Sequence, residues 1–168
     1  YDIMRFTVGY QAVRGINIFN PFNFPLGRKG ALLAQELPIF TENQIYYRYL
    51  NKFNRYTERL SYLATLGERV CETALYYPIS DFQGGINSER ISKEFDFIGR
   101  TLEDMLIDFD IIDDDIIQDT NNIKNGALYI GDAIYNRIII PENAYIPAKT
   151  QKALNHFVEV GGKVLHNI

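Results

Sequence analysis

Cys71 is the only cysteine in the 168-residue chain, and a thiolate is the strongest nucleophile any side chain here could offer. A catalytic cysteine needs a sharp strand-to-helix elbow with flanking glycines and a histidine partner. Cys71 lies instead between Val70 and Glu72, early in a β-prone run, and reads as a packed core thiol. The second candidate is acidic. Asp108, Asp110, Asp113, Asp114 and Asp115 fall at the carboxyl end of an apolar run, where open α/β sheets place their ligands and where a hard cation such as Mg²⁺ would find oxygen donors. Helix capping by Asp113 or Asp114, with the others solvated, accounts for the same spacing. Ser80-Asp81-Phe82-Gln83-Gly84-Gly85 precedes a helix start, where backbone N–H groups can cradle a phosphate. It has neither the Walker pattern nor G-x-G-x-x-G, so an ordinary βα loop is expected. His156 and His166 read as solvated side chains.

The bulk composition narrows the partners. Lys and Arg number 17 against 21 Asp and Glu, a formal net charge of −4, and no basic cluster offers the stripe that phosphate neutralisation requires. Nucleic acid is therefore not an expected partner. No apolar run reaches the roughly 20 residues that cross a bilayer as a helix, so no membrane is expected either. A single cysteine cannot close an internal disulfide, no Cys/His cluster has zinc-ligand spacing, and no cofactor is expected. With 46% hydrophobic and 23% charged residues, the chain has material for a sizeable packed core.

The elements that must position these residues change character once along the chain. Asp2 to Arg14 reads as a helix closed by Gly15, and Ile16 to Phe19 as a short strand. An aromatic, Pro- and Asn-rich loop follows as far as Asn43. Glu42 to Leu66 reads as a long helix with Tyr46, Tyr49, Phe53, Tyr56, Leu60 and Leu63 on one stripe, stopped by Gly67. So aromatic a stripe must bury against something large. Beyond it, strands and helices alternate. Val70 to Tyr77 is a strand ending at Pro78; Asn87 caps a helix stapled by Ile86 and Ile91, with Ile91, Phe95, Ile98, Leu102 and Met105 as its buried stripe. Phe109 to Asp113 is a strand, Asp114 to Asp119 a short helix, and Ala127–Ile130 pairs with Ile134–Ile138 across Gly131-Asp132. Arg137 to Pro141 is a third buried strand; Thr150 to Val160 is a helix with Leu154, Phe157 and Val158 inward, and Gly161-Gly162 turns into a last strand. Alternation of this kind predicts an α/β fold with a parallel, flavodoxin-like sheet over 68–168. Because the chain opens inside a helix and closes inside a strand, a fragment of a longer polypeptide is expected.

An ordered set of segments resembles a known family. Arg14-Gly15-Ile16-Asn17, the Pro-rich loop, Tyr56-Thr57-Glu58-Arg59-Leu60-Ser61-Tyr62-Leu63, Ala74-Leu75-Tyr76-Tyr77-Pro78, Phe95-Asp96-Phe97, Asp110-Ile111-Ile112-Asp113-Asp114-Asp115, Tyr135-Asn136-Arg137-Ile138-Ile139-Ile140-Pro141 and 150–162 occur in this order in large glycoside hydrolases similar to α-L-rhamnosidases. The resemblance covers nearly the whole chain. It implies that 1–67 is the last part of a catalytic (β/α)8 barrel. The segment 68–168 is then similar to the trimerisation domain of β-galactosidases, itself similar to class I glutamine amidotransferases without their nucleophile. In a barrel the sugar site lies at the carboxyl ends of the strands, which implies that Asn17, Asn20, Asn23 and the ring of Phe22 or Phe24 border it. Glycoside hydrolysis needs a pair of carboxyl groups at a fixed separation. The resemblance places that pair on earlier strands, and neither Glu36 nor Glu42 sits at a strand end, so no catalytic residue is assigned. The implied partners are the missing barrel strands, carbohydrate through the full enzyme, and further copies through an oligomer contact. The implied compartment is periplasmic or extracellular. The competing expectation is an independent α/β binding module or small enzyme, holding an anion or metal near Ser80–Gly85 and Asp113–Asp115. An aromatic helix left seeking a partner separates the two.

Overall fold

The computed structural model describes residues 1–20, 45–67, 69–85 and 88–166. The chain divides into two compact units, Tyr1–Glu68 and Arg69–Ile168.

In the first unit, α1 spans Asp2–Ala12 and ends as expected: the Ile16 N–H reaches back to the Gln11 carbonyl at 3.1 Å while Gly15 takes φ 90°, a conformation that suits glycine. A 3₁₀ turn at Tyr47–Tyr49 leads into α2, Leu50–Ala64. The helix expected from Glu42 thus starts at Leu50, and 42–44 lie outside the described residues. The two helices pack on each other, Val8 and Phe53 being their buried residues, with the Arg5 guanidinium 4.9 Å from the centre of the Tyr56 ring. Burial of the aromatic stripe is partial. Tyr46, Tyr56 and Leu60 are half-buried, whereas Tyr49 and Leu63 are exposed. The strand expected at Ile16–Phe19 does not form; Ile16–Asn20 has no regular structure, and Ile16 and Ile18 face solvent. A strand exists only against a neighbouring strand, and among the described residues this unit contains none.

In the second unit, β1 (Thr73–Tyr76), β2 (Phe109–Ile112), β6 (Arg137–Ile140) and β7 (Lys163–His166) form one parallel sheet in the order β2-β1-β6-β7. A separate antiparallel ribbon, β3 (Ile123–Lys124), β4 (Ala127–Ile130) and β5 (Ala133–Tyr135), precedes β6. Helices α3 (Ile79–Gly84) and α4 (Ser88–Asp104) lie between β1 and β2, α5 (Asp114–Gln118) follows β2, and α6 (Ala148–Glu159) joins β6 to β7.

Strand alternation divides the core in two. Ala74, Tyr76, Ile138 and Ile140 face α5, the ribbon and α6, where they meet Ile117, Leu128, Leu154 and Phe157. Leu75 and Ile139 face the other way, onto Ile98 and Leu102 of α4. Every β1 side chain is buried, which is why the run is apolar apart from Thr73.

Several expected boundaries move. β1 begins at Thr73 because Val70 is exposed and the Glu72 carbonyl is taken by the Asn136 and Arg137 N–H groups. Asn136 splits the expected strand Ile134–Ile138 into β5 and β6, which belong to different sheets. The Asn136 amide and then the Arg137 guanidinium bond the Glu72 carboxylate and hold it below the usual carboxylate range. Where a loop is expected over Ser80–Gly85 the chain forms the short helix α3, Ile79–Gly84, with Gly85 as its left-handed C-cap. Met105 and Val158, expected inside, are exposed; Thr150 and Ala153 take the inward positions of α6. The Asn87 cap and its Ile86 staple lie outside the described residues.

Candidate functional site

Helices leave β1 and β6 toward opposite faces of the sheet, so the crevice between their carboxyl ends is the place where an open α/β sheet takes a ligand. Here the segment after β6 lies across it. The Tyr145 N–H donates to Asp81 Oδ2 at 2.7 Å, the Glu142 N–H donates to the Glu94 carboxylate, and the Asn143 amide donates to Glu94 Oε2 at 3.0 Å. Arg90 in turn donates to Asn143 Oδ1 at 2.8 Å. Beneath this segment's anchors, Tyr77 stacks on Phe82 with centroids 4.7 Å apart and meets Phe95 edge-on at 5.4 Å. The Ser80–Gly85 segment thus contributes Asp81 as a loop anchor.

Three of the five acidic residues, Asp110, Asp113 and Asp114, are bonded within the fold, while Asp108 and Asp115 are exposed. Asp113 caps α5, accepting from the Ile116 N–H at 3.2 Å. Asp114 Oδ1 accepts from the Tyr76 hydroxyl at 2.8 Å and from Thr150 Oγ1 at 2.6 Å, and Gln118 donates to that threonine at 2.8 Å. This chain of hydrogen bonds ties β1, α5 and α6 together. Asp110 pairs with Arg69 and accepts from the Tyr135 hydroxyl at 2.8 Å. Burial first, then the bonded carboxylate, pushes the Tyr76 and Tyr135 phenols well above their ordinary value. Among the described residues no three His, Cys, Asp or Glu side chains converge as a metal site.

Cys71 is buried just ahead of β1 and its thiol faces the Thr73 carbonyl at 3.4 Å. Burial raises its pKa, which lowers the thiolate fraction and suits a packed thiol. His156 Nδ1 stands 3.8 Å from Glu159 on the exposed side of α6, and His166 is exposed on β7.

For the sugar-site residues the outcome is limited. Asn17 is half-buried and Asn20 exposed in the irregular segment after α1, while Phe22, Asn23, Phe24, Glu36 and Glu42 lie outside the described residues. A groove of about 460 Å³ does open between α1 and α2, lined by Tyr1, Met4, Tyr46, Tyr49, Leu50, Lys52 and Phe53. Its described lining is aromatic and aliphatic apart from the Lys52 ammonium.

Sequence reasoning missed Tyr76, Asp114, Thr150 and Gln118 as a unit, and Asp81 with Glu94 as loop anchors. Their partners are 32 to 64 residues away, so no local spacing signals them. Compared with known proteins, the chain matches no family model, and no curated protein is similar enough to count as a match.

Proposed function

We propose that this chain is the carboxyl part of a carbohydrate-degrading glycoside hydrolase similar to α-L-rhamnosidases. Residues 1–67 would close its (β/α)8 barrel, and 68–168 would be a flavodoxin-like domain that acts as scaffold or oligomer contact without catalysing a reaction. The observation that carries this reading is the two-sided character of α1. Val8 and Gly9 face α2, with the Tyr56 hydroxyl 4.0 Å from where a Gly9 Cβ would stand, while Ile3, Phe6, Tyr10 and Val13 are more than half exposed at steps of three, four and three. An outer helix of a barrel needs both sides apolar, because it touches a neighbouring helix and the strands behind it. Burying each such side chain contributes about 1.5–3 kcal/mol, so an exposed row of them is a surface shaped for a partner. The unformed strand at Ile16–Phe19 fits the same reading, since a barrel strand requires a strand on each side. Counting only the parallel strands, the second unit has the order 2-1-3-4, in keeping with a flavodoxin-like sheet. The crevice of that sheet carries its own loop, and Asp81, Glu94, Asp113 and Asp114 are bonded within the fold, which favours a structural role over anion or metal binding.

The test is the genomic reading frame on the amino side of Tyr1, expressed with this chain as one polypeptide. The long product is expected to hydrolyse an aryl α-L-rhamnoside, with Phe6 and Tyr10 protected from hydroxyl-radical labelling. A start codon close before Tyr1, or a long product without glycosidase activity, contradicts the reading.

A further inference from the structure

We propose that the groove between the amino ends of α1 and α2 is a binding site for an acidic sugar unit of a polysaccharide, with the sugar ring on Tyr46 and Tyr49 and its carboxylate on Lys52 and Arg48. The inference rests on the reading of 1–67 as the end of a sugar-cleaving barrel, and names the chemistry of what that barrel would hold beside its active face. The two helices run parallel: Tyr1 and Met4 line the groove with Tyr46 and Tyr49, whereas Gly9, further along α1, meets Tyr56, further along α2. Parallel outer helices of a barrel begin on the side where its strands end, which is the side of its substrate loops. In that reading the groove opens on the substrate side.

Size, lining and charge select the ligand. The volume of about 460 Å³ falls within the roughly 300–1,000 Å³ of small-ligand sites, which are apolar with a few placed polar groups. The described lining supplies aromatic faces, which suit the apolar C–H face of a pyranose, and one charge, Lys52. A second charge is close. The Lys52 ammonium and the Arg48 guanidinium stand 5.9 and 5.8 Å from the centre of the same Tyr49 ring. Both side chains are exposed, and among the described residues neither pairs with a carboxylate. Two neighbouring cations without a carboxylate, beside an aromatic hollow, complement an anion carried on a ring. A neutral sugar would leave both charges unanswered.

The test titrates the full chain by calorimetry with trigalacturonate, with its methyl ester, which keeps the rings and loses the charges, and with oligothymidylate, which carries its charge on phosphates and has no pyranose. Circular dichroism confirms the fold of each variant. Trigalacturonate is expected to bind at least about tenfold more tightly than either comparison ligand, and Lys52→Met to weaken it about tenfold, whereas Lys52→Arg keeps most of the affinity. Tyr49→Ala, at a half-exposed position, should weaken the acid as well. If Lys52→Met does not fold, Arg48→Ala is read by the same criterion. The proposal is overturned by a parent chain that does not bind the acid, by equal affinity for acid and ester, by an oligonucleotide that binds as tightly, or by a folded Lys52→Met that binds as the parent does. The glycosidase reading fails separately: an inactive long product contradicts it whether or not the chain binds the acid, and an active one upholds it even without that binding.

Discussion

Tyr76 and Tyr135 place their rings in the same core layer, and each donates its hydroxyl hydrogen to one carboxylate, Asp114 or Asp110. Both phenols are thereby raised above the ordinary 10.0, burial being the larger cause. A raised folded-state pKa fixes the sign of the pH effect. Below pH 10 the stabilisation is fully present; above it the unfolded chain releases protons that the folded chain retains, and stability falls as pH rises. Urea unfolding followed between about pH 8 and 11 should therefore show a midpoint that drops on the alkaline side in the parent chain and drops less in Tyr76→Phe/Tyr135→Phe. An unchanged alkaline slope in the double variant would contradict the assignment. The two aspartates also show what residue spacing can reveal. Asp113 is legible as a cap because its partner Ile116 is three positions away, whereas Asp114 bonds residues 36 and 38 positions away and carries no local sign of it.

Strands β1, β2 and β6 and helices α4 and α6 are legible because apolar runs and three-four stripes reflect burial directly. Where elements were misplaced, tertiary contacts decided. α3 is only six residues long and is fixed by the Asp81 bond to Tyr145 and by Gly85 at φ 70°. The turn Asn125-Gly126, with φ 52° and 75°, joins β3 to β4; its residue pair is a strong hairpin signal that the reading from sequence did not use. At the end of α6 the reason for a glycine is steric. A Cβ on Gly162 would collide with the Phe157 ring, which is fully buried against the sheet. Gly162→Ala should cost about 1–3 kcal/mol in chemical denaturation, the range of an overpacked core. Gly84→Ala, which opens into free space within α3, serves as the control and should stay within about 0.5 kcal/mol of the parent. Equal effects at the two positions would show that the ring contact is not what Gly162 protects.

The two units differ in how far each supplies its own core. Residues 69–166 bury both faces of β1 and join sheet, ribbon and helices through Tyr76, Asp114 and Thr150. In the first unit only Val8 and Phe53 are fully buried among the described residues, and α1 shows solvent a row of large apolar side chains. The sequence made the α/β layering of the second unit plain, because its burial is satisfied within the chain. The first unit was less legible, because among its described residues the apolar stripes are only partly buried, so periodicity there does not report burial. Isolated helices of α1's length are marginal in water, so their stability must come from packing. Native-state hydrogen–deuterium exchange of the chain measures this most directly. The account predicts that backbone amides of β1, β6 and α6 exchange at least about a hundredfold more slowly than those of α1 and α2, which should open locally without the second unit unfolding. Equal protection in α1, α2 and the parallel sheet would show that the first unit is complete in itself, and would contradict the claim that it was shaped to close a larger barrel.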